Sequence, residues 1–153
     1  MKRLIGLLLI LVMVSSLSAA LAQRAESVEG GFSVKLPDHF VEESVGGYSD
    51  LCFYWHGNKL TVQGYASYQG EVAGSDLFQV LTGDETDYGT KYINGMEMMY
   101  ARTEDGENVC ITYTWMDRGN CVTMEFTYDS DDESSVQRSI KSIINSVSFD
   151  VGY

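Results

Sequence analysis

The chain has 153 residues with 22 acidic against ten basic side chains, a net charge of −12, and 44% hydrophobic residues. That length suits one domain with a real core and is short for two. The acidic balance excludes nucleic-acid binding and anionic membrane surfaces as main functions, because both need Lys and Arg to neutralise phosphate.

Lys2 and Arg3 precede an apolar run from Leu4 to Val14, followed by serines and Ala20-Leu21-Ala22. A basic start, an apolar stretch too short to span a bilayer and a small-x-small site predict a signal peptide over 1–22. The competing expectation is an uncleaved signal anchor using the same residues. A lipid-modified start would need a cysteine just after the apolar run, and the first is Cys52. The remainder, 23–153, is predicted to form a single α+β domain that is secreted or held in the periplasm or cell envelope. It has no later segment for membrane insertion. The leader contains two of the bases and no acid, so the mature chain has eight bases against 22 acids, a net charge of −14.

Gly31 to Leu36 alternates Phe32, Val34 and Leu36 with polar residues and stops at Pro37, which predicts a first strand. Leu51 to His56 predicts another, with Gly57-Asn58 as a two-residue turn. Pairing His56 with Lys59 sets Trp55 opposite Leu60 and Phe53 opposite Val62. Ser75 to Leu81 predicts a short helix before the acidic loop Gly83–Asp87. Thr90 to Ile93 predicts a strand that turns at Asn94-Gly95.

A meander from Met96 to Tyr128 follows. With Asp105-Gly106 as the turn and Glu104 paired with Glu107, Tyr100 would face Ile111 and Met98 would face Tyr113. With Arg118-Gly119 as the next turn and Asp117 paired with Asn120, Trp115 faces Val122, Tyr113 faces Met124 and Ile111 faces Phe126. Both turns put apolar residues on one face. Ser130-x-x-Glu133 predicts a capping box that opens a final helix. Val136, Ile140, Ile143 and Val147 form its apolar stripe, and the meander face is the available partner.

These elements predict an antiparallel sheet of five to seven strands with a C-terminal helix packed on one face. The order, GFSVKLPDHF first and SIKSIINSVSF last around a hairpin-rich middle, resembles small exported bacterial domains of the PsbP-like fold. That family is named for an extrinsic subunit of photosystem II. The resemblance implies an α/β/α sandwich and a binding or assembly role more often than catalysis. It transfers no functional residue.

Three cysteines in an exported chain suggest one disulfide. In the meander register Cys110 and Cys121 lie five to six residues apart along the strands, roughly 17–20 Å, and a disulfide needs Cα atoms within about 7 Å. Any bridge must therefore join Cys52 to Cys110 or Cys121; three reduced, buried thiols are the alternative. No catalytic residue is predicted. Cys52 and His56 are separated by about 13 Å of strand, and the chain has only two histidines.

No cofactor or metal is predicted either. Met96 and Met98 fall on the core face, which explains them better than copper(I) binding does. Asp129–Glu133 lacks the glycine and final glutamate of a calcium loop. Ten tyrosines leave a surplus beyond the core. Tyr54, Tyr65, Tyr68 and His56 are the candidate ligand surface, facing a protein, peptide or envelope component. The expected function is thus an exported, non-catalytic binding or assembly domain; the alternatives are a small thiol-dependent enzyme or a metal-stabilised envelope module.

Overall fold

The computed structural model describes residues 22–44, 49–67, 87–117 and 120–149, without the side chains of 65–67. Its first elements are β1 (Gln23–Ser27) and β2 (Phe32–Leu36), which form a separate antiparallel hairpin. The remaining strands make one antiparallel sheet. They are β3 (Val41–Glu42), β4 (Ser49–Trp55), β5 (Leu60–Ser67), β6 (Asp87–Ile93), β7 (Met96–Asp105), β8 (Asn108–Asp117) and β9 (Asn120–Asp129). Their spatial order is β3-β4-β5-β9-β8-β7-β6. The helix α1 spans Glu133–Asn145.

Period-two alternation decides what each face carries. Leu51, Phe53, Val62, Phe126, Ile111 and Met98 share one face, and all are buried. The hairpin and α1 cover this face: α1 packs on β9 and β2, and Val136, Ile140, Ile143, Ile144 and Val147 are buried. On the other face Cys52, Ala101, Thr114, Cys121 and Thr123 are buried, with the Thr114 and Thr123 hydroxyls 3.2 Å apart. The helix expected over Ser75–Leu81 lies outside the described residues, as does the acidic loop up to Thr86.

Several registers match the sequence reading and others differ. Trp55 pairs with Leu60 and Phe53 with Val62. The link between them is longer than the expected Gly57-Asn58 turn. His56–Asn58 form a 3-10 turn and Lys59 takes a left-handed φ of 47°. Asp117 pairs with Asn120, so Trp115 meets Val122 and Ile111 meets Phe126. Between β7 and β8 the expected register is off by two: Asp105 pairs with Asn108, Tyr100 with Tyr113 and Arg102 with Ile111. The cause is Gly106, whose φ of +63° makes it the first central residue of the turn. A turn with positive φ there favours glycine in that slot, which moves the closing pair one residue along each strand. A two-residue slip leaves every side chain on its expected face.

The predicted capping box is not formed. The Asp129 carboxylate instead accepts from Asp131 N–H at 3.1 Å, and a 3-10 turn over Ser130–Asp132 leads into α1. Ser130 N–H donates to the Glu107 carbonyl at 2.7 Å. The Glu133 carboxylate accepts from Arg102 at 2.9 Å and from Gln137 at 2.8 Å. A guanidinium on β7 attracts that carboxylate more strongly than a neutral amide does.

The hairpin is fixed at both ends. Ser33 and Ser148 exchange backbone hydrogen bonds of 2.8 and 2.9 Å, tying β2 to the residues after α1. At its turn, Ser27 Oγ donates to one Asp50 oxygen at 2.6 Å, and Glu29 N–H donates to the other at 2.7 Å. Ser27 is fully buried. Asp50→Ala strands that hydroxyl, so it is expected to cost about 1–3 kcal/mol. Urea denaturation and hydrogen exchange at the Glu29 amide check this. Exchange there as slow as in the unsubstituted chain contradicts it.

Candidate functional site

The helix does not cover the β6 end of its sheet face, and a cleft of about 580 Å³ opens there. Its floor is Tyr100, Ile111 and Tyr113, its helix wall includes Ile140, Lys141 and Ile144, and β6 contributes Lys91, Tyr92 and Ile93. Both ends of α1 are pinned around it. Arg102 bonds Glu104 on its own strand and Glu133 at the start of the helix. At the other end Asn94, with φ 51°, donates through Nδ2 to the carbonyls of Asn145 at 3.1 Å and Val147 at 2.7 Å. The Asn94-Gly95 turn predicted from sequence therefore also caps the helix.

Lys91 pairs with Met98, which places it on the core face. Its ammonium lies 3.5 Å from the Tyr100 ring centre and 5.4 Å from that of Tyr113, a cation–π arrangement. Burial pulls its pKa below the ordinary lysine value, against the raising effect of Asp87. Burial also pushes the Tyr113 phenol up to about 12, with Tyr100 adding to the shift. The phenol beside the lysine therefore stays protonated at neutral pH. The cleft lining holds two lysines and no carboxylate, a local reversal of sign in an acidic chain. On the opposite face of the sheet a hollow of about 540 Å³ is lined by Thr90, Tyr92, Met96, Met99, Trp115 and Met116, among others. Tyr92 borders both spaces and is 76% exposed.

Of the surface candidates from sequence, Tyr54 and His56 are neighbours among the described residues. Tyr54 is half-buried on the face away from α1, with its ring 4.5 Å from that of exposed His56. The backbone of Tyr65 lies between Ser49 and Thr123, and its side chain is outside the described residues, as is Tyr68. His39 packs its ring 4.2 Å from that of Trp55 and 5.1 Å from that of Phe40. Among the described residues, no group of three His, Cys, Asp or Glu side chains could hold a metal.

The structure holds no disulfide from Cys52 to Cys110 or Cys121. Cys52 lies on β4, two strands from Cys121 on β9 and three from Cys110 on β8. Three strand spacings are roughly 14 Å, twice the span a disulfide tolerates. Cys121 is only two strands away but also displaced along the strands: Cys52 aligns through Gln63 with Glu125, four residues from Cys121. The Cys52 thiol accepts instead from Gln63 Nε2 at 3.7 Å. Burial pushes its pKa up, and pushes that of Cys110 up to about 11.

No family model and no curated protein matches the chain. Solved structures do. The cyanobacterial PsbP (CyanoP) of Synechocystis sp. PCC 6803 superposes with a TM-score of 0.61 at 15% identity, covering 84% of this chain and 92% of that one. The fold is PsbP-like. A protein of Bacteroides thetaiotaomicron VPI-5482 gives a TM-score of 0.58 at 15% identity over 83% of this chain, which spans 48% of that longer chain. The Saccharomyces cerevisiae Ran-binding protein Mog1p gives 0.53 at 7% identity, covering 84% and 95%. At such identities the PsbP-like likeness is one of fold. The cleft between α1 and β6 is read from this chain's own residues.

Proposed function

We propose that this chain is an exported, non-catalytic domain that binds a protein partner through the β6 side of its sheet. The observation that carries the reading is Tyr92, a highly exposed aromatic residue between a cleft that holds two lysines and a hollow on the other face where Met96, Met99 and Met116 lie beside Glu97. Exposed tyrosine beside methionine is favourable contact chemistry. The catalytic alternative has less support, since Cys52 and Cys110 carry raised pKa values and each histidine packs against an aromatic ring, His39 against Trp55 and His56 edge-on to Tyr54. A structural neighbour is a Ran-binding protein by name, so the same fold can serve protein binding. Export is supported by the leader sequence. Strand β1 begins at Gln23, the proposed mature start, and Gln23 Nε2 donates to the Phe40 carbonyl at 2.6 Å.

The test is the full chain expressed in its native host with a photo-crosslinking residue at Tyr92, or at Val28 as the exposed control on the hairpin turn. The expected result is a purified chain whose mass starts at Gln23 and a protein adduct formed from position 92 but not from 28. A retained leader overturns export. Equal adducts at both positions, or none at 92, overturn the binding surface.

A further inference from the structure

The two edges of the sheet are unequal. At one edge β3 is two residues long and contains Glu42, the short, charged form that discourages further pairing. At the other, β6 runs seven residues and contains no proline. It pairs with β7 without a bulge from Asp87↔Arg102 to Ile93↔Met96. Its single lysine, the usual deterrent on an edge, lies back over Tyr100 instead of along the rim.

The backbone of β6 is set for a further partner. A two-residue turn closes on a hydrogen-bonded pair, here Ile93 with Met96. Inward and outward bonding alternates along an antiparallel strand, so Ile93 and Lys91 bond toward β7 while Thr90 and Tyr92 direct N–H and C=O outward. Among the described residues no strand lies beyond β6, and Thr90, Lys91 and Tyr92 are all exposed.

We propose that β6 accepts an extended peptide segment of a partner protein as an eighth strand, with a carboxylate side chain of that segment paired to Lys91 and Lys141 in the cleft. Main-chain bonds to Thr90 and Tyr92 supply affinity, and pockets for alternate side chains supply selectivity. Successive side chains of the added strand point to opposite faces. Those on the helix side meet the cleft, whose lining is lysine, tyrosine and isoleucine with Gln137 and Asn145 and no acid. Those on the other side meet Tyr92, Met99 and Met116 together with Thr114 and Glu97, which suits uncharged residues such as valine. The acids nearest the edge are Asp87, on β6 and acting on Lys91, and Glu97, paired with Tyr92; exposed charges beyond about 8–10 Å are screened by salt. A second copy is a poorer occupant, since both copies carry the same large negative charge.

The inference rests on the binding reading above and fails separately from it. The probes are three capped decapeptides in which Val alternates with Glu, with Gln or with Lys. Each is titrated into the isotopically labelled chain purified from the exporting host. The Val/Glu peptide is expected to shift the amides of Thr90–Tyr92 with a Kd below about 1 mM, and about tenfold tighter than the Val/Lys peptide. Thr90→Pro removes an outward N–H without touching the ladder to β7, so it should abolish binding while leaving the melting temperature nearly unchanged. Lys91→Gln with Lys141→Gln should retain strand addition and erase the preference for Glu.

No β6 shift at millimolar peptide overturns the proposal, as does equal binding by the Thr90→Pro chain or preference for the Lys peptide. A dimer that forms without peptide and is lost in Thr90→Pro also overturns it, by assigning the edge to a second copy. A cross-link at Tyr92 with peptide shifts indifferent to Thr90→Pro leaves the binding surface standing and removes strand addition alone.

Discussion

Phe32→Ala is expected to lower the unfolding free energy by about 3–5 kcal/mol, the largest stability effect of any single substitution considered for this chain. Phe32 is wholly buried, and its ring meets Trp115 edge-on with centroids 5.1 Å apart. Such aromatic pairs add about 0.5–1.5 kcal/mol beyond the buried area. The ring also seats the β1–β2 hairpin on the sheet. At Gly64, a Cβ would lie 2.7 Å from Phe32 Cζ and 3.2 Å from Leu51 Cβ. Glycine on β5 is therefore the socket for the phenyl ring, and Gly64→Ala should cost about 1–3 kcal/mol through overpacking.

The two costs should not add. With Phe32 truncated, the worst of the Gly64 clash disappears, and Gly64→Ala in that background should be nearly neutral. The coupling energy from urea denaturation of the four proteins is expected at about 1–2 kcal/mol. Strict additivity shows that the ring does not sit in the Gly64 socket.

Phe32 also shows how far local pattern reaches. Its alternation with Val34 and Leu36 identified the strand and the buried face, because period two is written in adjacent residues. Nothing local said that this strand leaves the main sheet to form a hairpin above it. Its partner β1, Gln23–Ser27, presents only Ala25 and Ser27 inward, too little apolar signal to detect. The pairing of β5 with β9 joins Val62 to Phe126, residues far apart in sequence. Turn chemistry could be read to within one residue: Gly106 was rightly part of a turn, but in its first central slot and not its second. The capping box failed because Arg102, distant in sequence, competes for Glu133.

The candidate site was legible in part for the same reason. Tyrosine surplus drew attention to Tyr54, Tyr65, Tyr68 and His56, yet composition does not group side chains. Lys91 was the stronger signal. Counting back from the Asn94-Gly95 turn puts it opposite Met98, a lysine on an apolar face, and such a lysine needs a special partner. Its partners, Tyr100 and Tyr113, become neighbours only in the observed β7–β8 register.

The native chain is expected to react with a thiol reagent such as dithionitrobenzoate at least about a hundredfold more slowly than the same chain in denaturant. At pH 8 an ordinary thiol is roughly a quarter thiolate, whereas a pKa near 11 leaves on the order of one part in a thousand. Cys110 has that raised value, first from burial and then from the Glu125 carboxylate. Cys52 is raised by burial in the same direction, with Gln63 opposing. Cys121 is 4% exposed. The sign for stability follows: the unfolded thiol ionises first, so the Cys110 contribution is full below about pH 9 and is lost as pH rises through 11. Cys110→Ala should make that part of the alkaline fall shallower, leaving the contribution of Cys52 and the further fall from Tyr113, whose phenol sits near 12. A thiol enzyme needs the reverse, an accessible cysteine with a lowered pKa. Fast labelling of any one cysteine in the native chain would restore that reading. Slow labelling of all three would accord with a sheet that holds the cysteines too far apart to pair and raises the pKa of Cys52 and Cys110.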